Sequence, residues 1–249
     1  EGGAAFMAAA WGKLTGAPGL CFVTRGPGAT NASIGVHTAM QDSAPMILFV
    51  GQVGTDMRGR EAFQELDYRA VFGTMAKWAV EIDSADRIPE ILSRAWTTAL
   101  TGRPGPVVVA LPEDMLTRMT GAAPLTAPPR IAEAAPLPAA MEEVRAILSR
   151  ARTPVILTGG GGWTDPGRRA LQDFAEASDI PVVTAFRFQD RFDNMSRVFA
   201  GEAGVGIGFR RHRHDRDRGM GQLGVHLLGR GTGIAAAAGD DRRVLVARA

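Results

Sequence analysis

Residues 20–31 read LCFVTRGPGATN. Leu20 to Thr24 is a short apolar run and predicts a buried β-strand. Gly26-Pro27-Gly28 breaks it, and Ala29 to Gln41 predicts a helix. A strand, a glycine turn and a helix start form the ligand-accepting crevice of an open α/β sheet. Glycine in such a turn lets the backbone approach a flat ring or a phosphate. The turn matches neither GxGxxG nor the phosphate-loop pattern GxxxxGK followed by Ser or Thr. Taken alone it reads equally as a ligand loop and as an ordinary tight turn.

Working outward, residues 4–14 (AAFMAAAWGKL) predict a helix that stops near Gly16. Met46 to Val50 predicts a second buried strand, closed by Gly51. Residues 61–73 (EAFQELDYRAVFG) predict a short helix, and Lys77 to Ile82 a strand. Between Ser84 and Leu100, residues Ile88, Ile91, Leu92, Ala95, Trp96, Ala99 and Leu100 share one helical face. Ser84 or Asp86 is the expected cap, with Pro89 in the first turn. Pro106 to Leu111 (PVVVAL) is β-branched, as suits a strand covered on both faces. Strands alternating with helices predict α/β architecture, a parallel sheet flanked by helices, over residues 1–118. Residues 119–138 are rich in Pro and Ala and predict a linker.

A second alternating unit follows over 139–208. It comprises a helix at 139–151, a strand at 154–158, the run Gly159-Gly160-Gly161-Gly162, a helix at 166–178 and a strand at 181–186. This predicts a partial Rossmann-like α/β domain. Past Gly208 the pattern fails. Residues 209–249 mix Arg and His clusters with Gly and Ala runs, and predict a tail without a packed fold. It reads either as natural disorder or as a high-GC frame translated out of register.

Composition excludes several classes. The 249 residues are 45% hydrophobic and 22% charged, as in a globular protein. No apolar run reaches bilayer length, and no basic-then-apolar leader is present. The single cysteine, Cys21, excludes an internal disulfide. It lies in an apolar run, reads as a buried structural thiol, and fits a cytoplasmic protein. Residues 210–218 (RRHRHDRDR) are basic, but read as a solvated tail, so neither a nucleic-acid nor a membrane partner is expected. His212, His214, Asp215 and Asp217 lack a supporting element and sit among repelling arginines, so no metal site is expected there. His37 reads as a packed or surface histidine. The sequence begins at Glu1 rather than Met, which reads as an internal start.

Five segments occur in a telling order: EGGAAFMA (1–8), FVTRGPGATN (22–31), PMILFVGQ (45–52), EAFQE (61–65) and TGRPGPVVVALPED (101–114). Together they closely resemble the pyrimidine-binding domain of thiamine-diphosphate-dependent enzymes, the acetolactate synthase large subunit in particular. The resemblance covers residues 1 to about 118, extends more weakly over 139–208 and does not reach 209–249. It implies that Glu1 is the catalytic carboxylate, hydrogen-bonding the aminopyrimidine of the cofactor and so promoting proton removal from thiazolium C2. It implies that Thr24, Pro27, Asn31 and Gln64 bind the cofactor. Phe63, beside Gln64, would lie near the substrate. Arg103 and the Gly159, Gly160 and Gly161 turn match an FAD site, although many family members keep these glycines without a flavin.

The implied activity is 2-keto acid decarboxylation and carboligation, pyruvate to acetolactate, in branched-chain amino-acid synthesis. The full-length form would be a homodimer or homotetramer. In this family Mg²⁺ and the diphosphate are held by a third domain with a GDG motif. That motif does not occur here, so the chain alone is expected to be an inactive fragment lacking also its first strand. Two positions depart from the family: its GQVP reads Gly51-Gln52-Val53-Gly54, and the Lys of its LPKD is Glu113. A related carboligase or decarboxylase stays open. So do two competitors: a dinucleotide-binding Rossmann protein on the Gly159 turn, with Glu176 or Asp179 near the ribose-binding offset, and a basic module on Arg210 to Arg218.

Overall fold

The computed structural model describes residues 1–204, 235–239 and 242–248. The chain divides into two compact units, Glu1–Glu133 and Ala134–Ala249.

The first unit is built on a parallel sheet of β1 (Gly19–Val23), β2 (Met46–Gln52), β3 (Trp78–Glu81) and β4 (Pro106–Pro112). The strand order is β1-β2-β4-β3. Cys21 lies opposite Leu48, Leu48 opposite Val108, and Val108 opposite Ala79. Because side chains alternate along a strand, β2 splits cleanly between two cores. Met46, Leu48 and Val50 pack under α1 (Gly2–Thr15), α2 (Gly26–Asp42) and α3 (Tyr68–Phe72). Ile47 and Phe49 pack under α4 (Ile88–Leu100), through Ile91, Ala95 and Ala99. This is the predicted parallel sheet flanked by helices.

Helices α1 and α2 cross with almost nothing between them. A Cβ added to Gly35 would lie 2.5 Å from the Cβ of Ala5, and one on Gly12 would lie 2.0 Å from the Pro45 carbonyl oxygen. The side of α1 turned away from this crossing leaves Met7, Trp11 and Leu14 exposed, and on β1 Leu20 and Phe22 are exposed while Cys21 between them is buried.

Several element boundaries differ from expectation. Helix α2 starts at Gly26, so the Gly-Pro-Gly turn is its first turn rather than a break before it. Proline suits that position because the first-turn amides have no helical partner to lose. Over 61–73 only Tyr68–Phe72 is helical. The Glu65 carboxylate takes the amides of Gly59 (2.8 Å) and Ala62 (3.2 Å), which competes with helix formation. Asp67 then caps α3, accepting from Arg69 N and Ala70 N. At α4 neither Ser84 nor Asp86 caps through its side chain. A 3-10 turn at Ala85–Arg87 intervenes and Arg87 takes the cap position. No helix or strand lies between α5 (Glu113–Thr117) and α6 (Pro138–Arg150).

The second unit carries β5 (Val155–Gly159), α7 (Asp165–Ala177), β6 (Val182–Ala185), β7 (Phe199–Ala203), β8 (Ala235–Gly239) and β9 (Arg242–Arg248). The order is β7-β6-β5-β9-β8, with only β8 antiparallel to its neighbour. Thr164 caps α7 by accepting from Gly167 N. Ile156, Ala175, Ile180, Val182, Phe192 and Val198 form the core.

Within 209–249, where the sequence predicts a tail without a packed fold, the described residues include strands β8 and β9. Strand β9 pairs in parallel with β5, placing Leu245 opposite Ile156. Val244-Leu245-Val246 is a strand-favouring run that the flanking arginines obscure in composition. The basic cluster 210–218, with His212, His214, Asp215 and Asp217, lies outside the described residues. Among the described residues no helix is long and apolar enough to cross a membrane.

Candidate functional site

The carboxyl ends of β1, β2 and β4 deliver three turns to one edge of the first sheet, where parallel sheets keep their ligands. Glu1 arrives there at the start of α1. Its side chain caps nothing in its own helix and is exposed. Instead Asn31 Nδ2, from the second turn of α2, donates to Glu1 Oε2 at 3.3 Å.

Gly28 makes the remaining room. A Cβ there would lie 2.9 Å from Thr24 Cγ2, 3.2 Å from Val23 Cβ and 3.6 Å from Glu1 Cγ. Thr24, Val23 and Glu1 therefore close tightly on Gly28, and with Asn31, held to Glu1, they form one cradle in which any larger side chain at 28 would displace its neighbours. Pro27 sits in the same turn, its carbonyl accepting from Thr30 Oγ1 at 3.0 Å.

The loop after β2 closes on this turn. The amide of Gly26 donates to the Gln64 carbonyl at 3.0 Å. Arg25 NH1 donates to the Phe63 carbonyl at 3.3 Å. Gln64 holds a left-handed backbone, φ 65°, a conformation that costs a non-glycine residue about 1 kcal/mol. Phe63 is 77% exposed and is not a core residue of this chain. The structure thus brings Glu1, Thr24, Pro27, Asn31, Phe63 and Gln64 to one place.

Arg103 is elsewhere. Its Nε donates to Ser43 Oγ (2.8 Å), and NH2 donates to the carbonyls of Met40 (2.7 Å) and Gln41 (3.1 Å). These are the unsatisfied carbonyls at the end of α2, the opposite end from Gly26. Gly159, Gly160 and Gly161 lie in the second unit, at the end of β5. Gly160 and Gly162 adopt φ 83° and 84°, which only glycine does readily. Trp163 Nε1 donates to the Gly159 carbonyl at 3.1 Å. On the strands leading to this turn, Thr158 and Thr184 are paired in register, and both hydroxyls are buried without a hydrogen-bond partner. Glu176, weighed as a ribose ligand, is engaged by Ser196 Oγ and Gln172 Nε2.

Sequence reasoning missed the polar layer under the 55–67 loop. Gln52 is buried. Its Nε2 donates to the Leu66 carbonyl (2.9 Å) and to Glu81 (3.2 Å), and its Oε1 accepts from Val53 N (2.9 Å). Arg58 bridges Glu65 (2.9 Å) and Glu81 (3.0 Å). Hydrogen bonding, first from the Gly59 amide, holds the Glu65 carboxyl below its ordinary range. Tyr68 donates to the Gly51 carbonyl (3.1 Å), and burial pushes its phenol up to about 12. Glu113, the first residue of α5 directly after β4, receives Arg25 NH2 at 2.5 Å. Asp114 accepts from the Thr55 amide and hydroxyl, the hydroxyl first in holding its carboxyl low. The one available signal was a polar residue, Gln52, ending an apolar strand run. Among the described residues no group of three or more His, Cys, Asp or Glu side chains is placed to hold a metal.

Comparison with known proteins points the same way. Residues 1–71 match the model of the thiamine pyrophosphate enzyme, N-terminal TPP binding domain. Residues 141–214 match that of the thiamine pyrophosphate enzyme, central domain. The chain is 33% identical over 211 residues to the acetolactate synthase large subunit of Corynebacterium glutamicum, covering 82% of this chain and 33% of that protein. It is 34% identical over 211 residues to the acetolactate synthase isozyme 3 large subunit of Escherichia coli, covering 82% and 37% respectively. A probable acetolactate synthase large subunit of Methanococcus aeolicus is 36% identical over 190 residues, 74% of this chain and 32% of that one. The chain spans about a third of the length of the curated relatives it matches.

Proposed function

We infer the function from one premise: the chain belongs to the thiamine pyrophosphate enzyme family. We propose that a protein carrying it decarboxylates a 2-keto acid and joins the product to a second carbonyl compound, with pyruvate as donor and acetolactate as product. The observation that carries this reading is the Glu1–Asn31 contact beside the Gly28 cradle.

The residues present fit the pyrimidine end of thiamine diphosphate. Gly28 lets Thr24 approach the helix start closely, a carboxylate stands beside it, and an amide fixes that carboxylate. When bound, the cofactor supplies an electron sink for cleavage of the bond beside a keto group. The chain's own residues have simpler tasks. Glu1 would hold a proton at a ring nitrogen while Asn31 Nδ2 keeps Oε2 engaged. Thr24 and Pro27 would wall the ring side. Gln64 and Phe63, tied through their carbonyls to Gly26 and Arg25, would lie beside the ring. We assign the diphosphate and Mg²⁺ to groups other than the described residues, which offer no carboxylate cluster.

A second cofactor reading attaches to the other unit. The left-handed backbone of Gly160 and Gly162 at the end of β5 supports a flavin dinucleotide there. Absorbance near 450 nm in the purified protein tests it. The exposed Met7, Trp11 and Leu14 of α1 support a homo-oligomer, which sedimentation tests. The free, buried Cys21 supports a reducing, cytoplasmic setting.

The deciding experiment is carbon dioxide release from pyruvate by the full-length protein with thiamine diphosphate and Mg²⁺. Glu1→Gln should abolish both this release and the exchange of the cofactor's C2 proton. Normal exchange in that variant removes Glu1 from the role.

A further inference from the structure

The Phe63–Gln64 peptide hangs from the β1–α2 turn by two donors. One is the Gly26 amide, fixed by the helix start. The other is the Arg25 guanidinium, whose second nitrogen is tied to Glu113 Oε2 at 2.5 Å. The Arg25 side chain is 26% exposed and that of Glu113 61% exposed, so the pair lies at the rim of the cradle rather than in the core. Rim ion pairs add little to folding stability. What this one does have is geometry: a guanidinium is a planar fork whose direction is set by its partner, and here the other tine reaches the Phe63 carbonyl.

Glu113 belongs to the same rim as Gly54. A Cβ on Gly54 would lie 2.9 Å from Asp56 Oδ1 and 3.8 Å from Glu113 Oε1. The two positions at which this sequence departs from its family pattern are therefore neighbours in space. A cation at 113 would face Arg25 and turn the guanidinium away.

We propose that Glu113 is a positioning residue that acts through Arg25 to set the pose of Phe63 and Gln64 over the cofactor cradle. This rests on the thiamine reading above, but its physical core, the coupling of residue 113 to the 58–67 loop, does not. Misplacing a positioning group by about 1 Å can cost up to about a hundredfold in rate.

The test uses the full-length protein and four forms: wild type, Glu113→Lys, Arg25→Gln, and the double variant Arg25→Gln with Glu113→Lys. Glu113→Lys is expected to lower kcat about tenfold or more, to change the dissociation constant for thiamine diphosphate by no more than about twofold, and to leave the melting temperature within a few degrees. Because Glu113 acts only through the Arg25 donor to the Phe63 carbonyl, the double variant should lose no more than Arg25→Gln alone. Hydrogen exchange in the peptide spanning 58–67 should speed up in both single variants and no further in the double. Independent, additive losses in the double variant overturn the proposal. If the wild type shows no thiamine-dependent turnover, the functional reading falls, and the exchange measurement still decides: unchanged protection at 58–67 in Glu113→Lys overturns the coupling.

Discussion

Replacing Gly35 by alanine tests the contact on which the position of Glu1 depends. The added Cβ would come within 2.5 Å of Ala5 Cβ, 2.8 Å of Ala5 C and 3.1 Å of Phe6 N. Two of these atoms are backbone, so no rotamer change can relieve the clash. Ordinary carbon contact begins near 3.5 Å, so the helices must separate by about 1 Å. Overpacking of this kind costs about 1–3 kcal/mol. Alanine returns about 1 kcal/mol through helix propensity, leaving a net loss of about 0–2 kcal/mol. The local effect is larger than that figure suggests. Ala5 lies one turn along α1 from Glu1, and Gly35 one turn along α2 from Asn31, so the same shift lengthens the 3.3 Å Glu1–Asn31 contact beyond hydrogen-bond range. Urea denaturation followed by circular dichroism gives the stability change, and C2 proton exchange of bound thiamine diphosphate gives the local one. A variant more stable than wild type by the full propensity gain, with unchanged exchange, would refute the tight crossing.

Three further outcomes are expected. Gln52→Leu removes the partner of the Leu66 carbonyl and the Val53 amide, and each orphaned buried group costs about 1–3 kcal/mol; a denaturation midpoint equal to wild type would contradict the burial of that layer. Glu65 has a folded pKa below its ordinary value, so its contribution is complete above that ordinary value and is lost as pH falls through the lowered one; hydrogen exchange at 58–67 should therefore accelerate only on the acid side of the usual carboxylate range, and Glu65→Gln should remove the pH dependence. Arg103→Ala frees the carbonyls of Met40 and Gln41 and should lower stability by about 1 kcal/mol without changing C2 exchange, because it acts at the far end of α2.

The unbroken apolar run Met46 to Val50 and the amphipathic face of α4 were legible because both faces of a parallel sheet demand apolar residues. The cradle was legible because its members lie in one motif or meet it at family spacing. The loop between Gly54 and Asp67 was not. EAFQEL has the composition of a helix, and nothing local announces that Glu65 will spend its oxygens on Gly59 and Ala62. Those partners become visible only when Arg58 and Glu81 converge from separate elements. Strand β7 escaped for a related reason: FAGEA carries one large apolar residue, and its pairing with β6 supplies what propensity does not. Strand β9 was hidden by averaging over an arginine-rich tail.

The chain has a single thiol, and it is sealed beneath α1 and α2 on strand β1, where desolvation raises its pKa. A sealed, weakly acidic thiol meets a solvent reagent only during the moments when the two helices lift. Disulfide-exchange reagents such as dithionitrobenzoate would then report, through a single colour change per molecule, how often the roof over β1 breathes. Glu1 and Asn31 stand on those same two helices, so slowing of the labelling by bound thiamine diphosphate would measure how strongly ligand capture and local opening compete.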